Sequence, residues 1–195
     1  DYDVANVRRV TVSRSINTNP AWSPDGRPIA YTSWLSGFPD VLVSYLYEGR
    51  MTRPANGNAD DHNFLPAFSS DGSQIVFMSN RDGNPDLNVV NADGTGEVRR
   101  LTNHPAIDVS PTWSPNGQQI AFTSDRTGAP QIYVIGADGT GLRRLTFGGD
   151  YHAPDWSPAG DAIIFDGFGS GIQTVHVASG EVTTVLNDGL ADRPD

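Results

Sequence analysis

Among the side chains able to act as acids, bases or metal ligands, His62, His104, His152, Asp108, Asp125, Arg126 and Tyr151 all lie in stretches rich in Pro, Gly, Asn and Asp. A histidine titrates near neutral pH, but it holds a metal only where several ligands converge; alone beside proline it reads as a hydrogen-bonded loop residue. Asp125 and Arg126 are adjacent opposite charges, which suits an internal ion pair or a turn cap as well as a binding role. The run Gly167-Phe168-Gly169-Ser170-Gly171 lacks the spacing of a nucleophile elbow, and the chain has no His-Glu-x-x-His and no P-loop. It reads as a hairpin loop. Asn91 to Glu97 alternates oxygen ligands as a calcium loop does, yet its counterpart Gly136 to Leu142 repeats the pattern without the last carboxylate, which favours a turn. These residues point to no catalytic constellation and no cofactor; calcium in a central channel is the one metal reading left open.

The elements that must position these side chains follow from a repeat. Ser110-Pro111-Thr112-Trp113-Ser114-Pro115-Asn116-Gly117 recurs as Asn19 to Gly26, as Leu65 to Gly72 with Phe68 at the Trp position, and as Ala153 to Gly160 with Ala159 at the Asn position. The ring positions Trp22, Phe68, Trp113 and Trp156 are spaced by 46, 45 and 43 residues, the repeat length of four-stranded propeller blades. Short runs rich in β-branched and aromatic residues, such as Ile75-Val76-Phe77, lie between Gly, Asp and Pro and leave no window for a long helix. The fold class expected is all-β: a propeller of four-stranded antiparallel blades at 16–56, 62–102, 107–146 and 150–187. Residues 1–11 are expected to be the last strand of a preceding blade and 190–195 the start of a following one. Trp22, Phe68, Trp113 and Trp156 are expected at equivalent buried positions, one large ring wedged between each pair of sheets.

Asp-Gly and Asn-Gly pairs supply the positive φ that tight hairpins require, so repeated turns gather at one end of each blade. The opposite end varies. Three residues before the repeat's Pro stand Asn17, Asn63, Asp108 and Tyr151, and two before it Thr18, Phe64, Val109 and His152. Repeated positions build a fold, whereas polar positions that change from blade to blade at a channel mouth can build a site. His62, Asn63, His104, Asp108, Arg126, Tyr151 and His152 are therefore the candidate partner-binding residues, with Arg126 and Tyr151 of the types enriched among hot spots. The odd Trp34 and Phe38 emerge on the same face.

Bulk composition narrows the partner. Thirteen basic against 23 acidic residues leave a net charge of −10, which repels a nucleic-acid backbone or an anionic bilayer. No apolar run reaches the length of a spanning helix, so no insertion into the membrane is expected. Cysteine is absent, which removes disulfides and thiolate zinc sites.

Ser124-Asp125-Arg126-Thr127-Gly128-Ala129-Pro130-Gln131-Ile132-Tyr133-Val134 and its match Ser79 to Val89, together with Asn103 to Pro111, resemble the propeller of the TolB family of the Tol-Pal cell-envelope system. The resemblance covers essentially the whole chain. It implies a six-bladed propeller, of which about four blades lie here as an open arc, a periplasmic location, and a non-catalytic role as a protein-interaction scaffold. The implied partner is the peptidoglycan-associated lipoprotein Pal, with other Tol proteins, or an extended peptide at the channel mouth. Two other readings fit the same repeats: the propeller of a prolyl-oligopeptidase-type or other hydrolase, gating a catalytic domain, and a propeller that binds a small ligand or sugar.

Overall fold

The computed structural model describes residues 9–11 and 14–186. Every regular element among them is a β-strand, so no helix there is long and apolar enough to cross a membrane. The motif Ser-Pro-Asp-Gly explains the sharp reversals. Ser23 Oγ donates to Asp25 at 2.9 Å, Ser69 Oγ to Asp71 at 2.6 Å, and Ser114 Oγ pairs with the Asn116 carbonyl at 2.7 Å. The glycine that follows, Gly26, Gly72 or Gly117, takes a φ of 68, 73 or 70°, where an L side chain is strained. In the fourth unit Ala159 offers no oxygen, and Ser157 Oγ reaches Asp161 instead, at 2.7 Å. The same turn is thus closed by a different carboxylate.

These turns fold the chain into four separate antiparallel sheets, each a simple meander. The first holds β1 (Asn17–Trp22), β2 (Pro28–Ser33), β3 (Asp40–Tyr45) and β4 (Arg50–Thr52). The second holds β5 (Asn63–Phe68), β6 (Gln74–Ser79), β7 (Asp86–Asn91) and β8 (Arg99–Arg100). The third holds β9 (Asp108–Trp113), β10 (Gln119–Ser124), β11 (Gln131–Gly136) and β12 (Arg143–Arg144). The fourth holds β13 (Tyr151–Trp156), β14 (Ala162–Gly167), β15 (Gly171–His176) and β16 (Val182–Leu186). The architecture is an all-β propeller with four blades in the described residues. Residues 9–11 join no strand; the rest of the strand expected at 1–11, and all of 190–195, lie outside the described residues. In the fourth blade three residues separate the second strand from the third, which starts at Gly171, against six in each of the other three blades.

Core rings join neighbouring blades. Phe68 packs into a cluster with Ala30, Val41 and Val43 of the first sheet; Trp113 packs against Val76, Leu87, Val89 and Leu101; Trp156 packs against Ala121, Ile132, Val134 and Leu145. All three rings are 8% exposed. Trp22 departs from the expectation that it is buried like the others: it is 62% exposed, because no described sheet covers its side of the first blade. The far end of the arc is also bare. In β14 only alternate residues are buried, with Ile164 exposed between Ile163 and Phe165, whereas β10 is buried on both faces. Successive inner strands β1, β5, β9 and β13 touch, and no comparable contact brings β13 back to β1.

Polar stitches add to the rings. Thr52 Oγ1, Arg99 Nη2 and Arg143 Nη2 occupy one equivalent position and donate to the next blade's carbonyls at Ala92, Ala137 and Val177, at 3.4, 2.8 and 2.8 Å. Trp156 Nε1 donates to Thr112 O at 3.2 Å across the last of these boundaries.

Candidate functional site

Strand order dictates which side chains share a face. Each inner strand begins at the end of the blade where the second strand finishes, so the loop after the second strand and the link into the next blade emerge together. Backbone bonds fix the pairing. The N–H groups of Trp34, Asn80, Asp125 and Phe168 donate to the carbonyls of Ile16, His62, Ile107 and Asp150. The N–H groups of Asn63, Asp108 and Tyr151 donate in turn to Pro39, Pro85 and Pro130 of the preceding blade. All seven candidate residues therefore lie on the loop face, and the Asp93-Gly94 and Asp138-Gly139 turns on the opposite one.

Their accessibility differs sharply. Asn63 and Asp108 are fully buried. Arg126 donates through Nη2 to both Asp108 oxygens, at 3.0 and 2.9 Å, and through Nε to Ser124 Oγ at 2.9 Å. Such a charge-assisted fork satisfies a carboxylate that burial would otherwise penalise heavily. The partner of Arg126 is thus Asp108 and not its neighbour Asp125, whose carboxylate accepts the Ile107 N–H at 2.8 Å and caps the strand start. Tyr151 lays its ring edge-on to Phe165, 5.0 Å between centroids. His62 and His104 are exposed; His104 Nδ1 accepts the Ala106 N–H at 3.0 Å, and His152 meets Asp150 at 3.0 Å. No three His, Cys, Asp or Glu side chains converge on a metal position among the described residues.

Further buried carboxylates tie the loops of the same face together. Asp40 accepts from Arg53, from the Gly57 N–H and from Asn63 Nδ2, while Asp86 accepts from Arg100 and from Thr102 Oγ1. Arg81 spans the first blade boundary, donating to Ala55 O at 3.0 Å and Asn63 Oδ1 at 3.2 Å. Sequence spacing gave no signal for these latches, since donor and acceptor lie 13 to 26 residues apart in segments with no shared motif. In contrast, the aromatic residues after the second strand were visible as departures from the repeat. Trp34 lies edge-on to Phe64 at 5.8 Å, and Phe64 edge-on to His62 at 6.4 Å. Phe168, at the position equivalent to Trp34, is almost wholly exposed.

Inside the mouth, each inner strand carries one bulge at the residue before its proline. Asn19, Leu65, Ser110 and Ala153 have φ of 50, 55, 53 and 49°, a left-handed conformation uncommon for residues other than glycine. The four pairs Asn19-Pro20, Leu65-Pro66, Ser110-Pro111 and Ala153-Pro154 line one cavity of about 280 Å³. Its wall has no charged side chain. The bulge recurs in every blade, which makes it a device of the fold that turns the strand along the channel.

The family model described as the TolB beta propeller domain matches residues 1–194. The chain belongs to the TolB β-propeller family. The Tol-Pal system protein TolB of Anaeromyxobacter sp. (strain K) is 51% identical over 111 residues, which are 57% of this chain and 25% of that protein. The matched stretch thus spans about a quarter of the length of this curated TolB relative. The crystal structure of TolB from Acinetobacter baumannii is 28% identical with a TM-score of 0.73, over 91% of this chain and 45% of that one. A puromycin-hydrolyzing peptidase of Mycobacterium tuberculosis superposes with a TM-score of 0.78 over 100% of this chain and 32% of its own, at 17% identity, a likeness of fold alone. Membership of the TolB family accounts for the repeat frame and the blade architecture together.

Proposed function

We propose that this TolB-family propeller is a non-catalytic, periplasmic binding scaffold whose loop face receives the peptidoglycan-associated lipoprotein Pal, other Tol proteins, or an extended peptide at the channel mouth. The supporting observation is a contrast between the two ends of the blades. One end repeats a turn that a Ser hydroxyl closes and a positive-φ Gly completes in every blade, whereas the other presents His62, His104, Tyr151 and His152, which change from blade to blade. Asn63, Asp108 and Arg126 serve this surface as supports, since their polar groups are consumed internally. The acidic balance of the chain steers a basic or neutral partner surface toward it and repels a strongly acidic one.

Calorimetry of the full-length protein against envelope partners, Pal first, tests the reading with paired substitutions on the two faces. Tyr151→Ala and His152→Ala are expected to weaken binding by about tenfold or more, as loss of an interface anchor does, with Asp138→Ala unchanged. Loss of binding confined to the Asp93 and Asp138 turns, with folding verified, would place the partner on the other face.

A further inference from the structure

We infer that Trp34, Phe64 and His62 form a ledge that anchors a cationic side chain, arginine or lysine, presented by an extended segment of the partner; this rests on the reading of the loop face as a partner-binding surface. The four blades provide an internal comparison. At the position of Trp34 the second and third blades carry Asn80 and Asp125, whose side-chain oxygens accept the N–H groups of His62 and Ile107 and so cap the inner strand. Trp34 shares only the backbone bond of that position, to Ile16 O at 3.1 Å. Its ring is therefore not part of the repeated cap. The equivalents of Phe64 are Thr18, Val109 and His152, so three rings in series occur at this blade boundary and not at the two that follow.

The electrostatic setting selects the ligand. Trp34 to Pro39 contains no charged side chain, while Asp60 and Asp61 immediately precede His62. The neighbouring arginines are already committed, Arg53 to Asp40 and Gly57 O, and Arg81 to Ala55 O, Asn63 and Ser79. The chain stacks its own guanidinium groups on other rings, with Arg53 5.1 Å from the centroid of Phe38 in the same loop, Arg50 3.6 Å from that of Tyr45 and Arg144 4.4 Å from that of Phe147. Trp34 and Phe64 are instead engaged edge-on by aromatic neighbours. Half-buried ring faces on a chain of net charge −10 are a setting in which a cation gains from an aromatic quadrupole. From Phe64 the strand runs directly to Leu65 at the cavity wall, so a segment anchored on the ledge would continue into the channel mouth.

The test follows the Trp34 indole N–H by NMR in the intact protein, assigned with Trp34→Phe, during titration with capped Gly-Arg-Gly and Gly-Lys-Gly peptides and with Gly-citrulline-Gly and Gly-Leu-Gly. The cationic peptides are expected to shift this resonance and to bind about 2- to 5-fold more tightly than the citrulline peptide. That preference should shrink in Asp60→Asn and in raised salt. Equal response to citrulline, a preference for leucine, or no response to any peptide overturns the inference. A parallel calorimetric arm separates it from the broader reading. If Pal binds Trp34→Ala as tightly as the unaltered protein, the ledge is not the anchor and the partner face stands. If Pal binds neither while the arginine preference persists, the partner reading falls and the cation preference of the ledge is upheld.

Discussion

At Asp71 hydrogen bonds from Ser69 Oγ, from the Ser73 N–H and from Ser73 Oγ converge on one carboxylate and lower its pKa from 3.8 to about 2. The bonds exist only in the folded turn, so the folded pKa lies below the unfolded one. Their contribution is complete above about pH 4 and is lost as pH falls through the folded value. A carbon-13 titration should place the Asp71 midpoint near pH 2, and Asp71→Asn should flatten the acid limb of the stability curve. Asn116 already holds the equivalent turn with a neutral amide, accepting from the Gln118 N–H at 3.0 Å. A second single-residue contrast concerns the rings. Trp113→Ala should cost about 3 to 5 kcal/mol in chemical denaturation, the range for a large buried ring. Trp22→Ala, at 62% exposure, should cost less than about 1 kcal/mol.

At the scale of the element, the turn between the first two strands of the second, third and fourth blades also packs on the equivalent turn of the blade before it. A Cβ on Gly117 would come within 2.8 Å of Ser70 Oγ, whereas one on Gly26 meets nothing within 4 Å. Both glycines have positive φ, so both alanine variants carry backbone strain of about 1 kcal/mol. Gly117→Ala should lose more than Gly26→Ala, and Ser70→Ala should recover the difference; thermal melts of the three variants check it. These turns and the strands between them were legible in the sequence because the information is local: a Gly where φ must be positive, a Pro where pairing stops, apolar runs of strand length. The site was legible only as a face. Arg126 could be placed on it from the repeat, but not its bond to Asp108, which depends on how a loop folds back over a strand 18 residues away. Trp22 matched its sister rings in sequence, and its exposure is decided by what lies beside the blade rather than by the residue. Because the Arg126 and Asp108 charges are buried together, Arg126→Ala should lower stability by about 3 to 5 kcal/mol, read by urea denaturation. Loss of partner binding in that variant therefore needs a folding control.

For the molecule as a whole, the arc shows an uncovered ring at one end and an uncovered socket at the other. Ile164, Ile172 and Val185 on the fourth sheet are exposed, at positions matching those that receive a ring at the three internal boundaries. Residues 1–195 on their own are therefore expected to self-associate as concentration rises, since exposed sheet faces and edges template contacts. Sedimentation velocity across a hundredfold concentration range reads this, and Trp22→Ser together with Ile164→Asp should suppress it. One further consequence lies in the way the blades are joined. The strand ladders stop at each blade border, where rings, side-chain stitches to single carbonyls and lone backbone bonds take over. Under tension applied through the two termini, such a chain should give way one blade at a time. A force-extension trace would then be a saw-tooth whose teeth each release about 150 Å of contour, the extended length of one repeat.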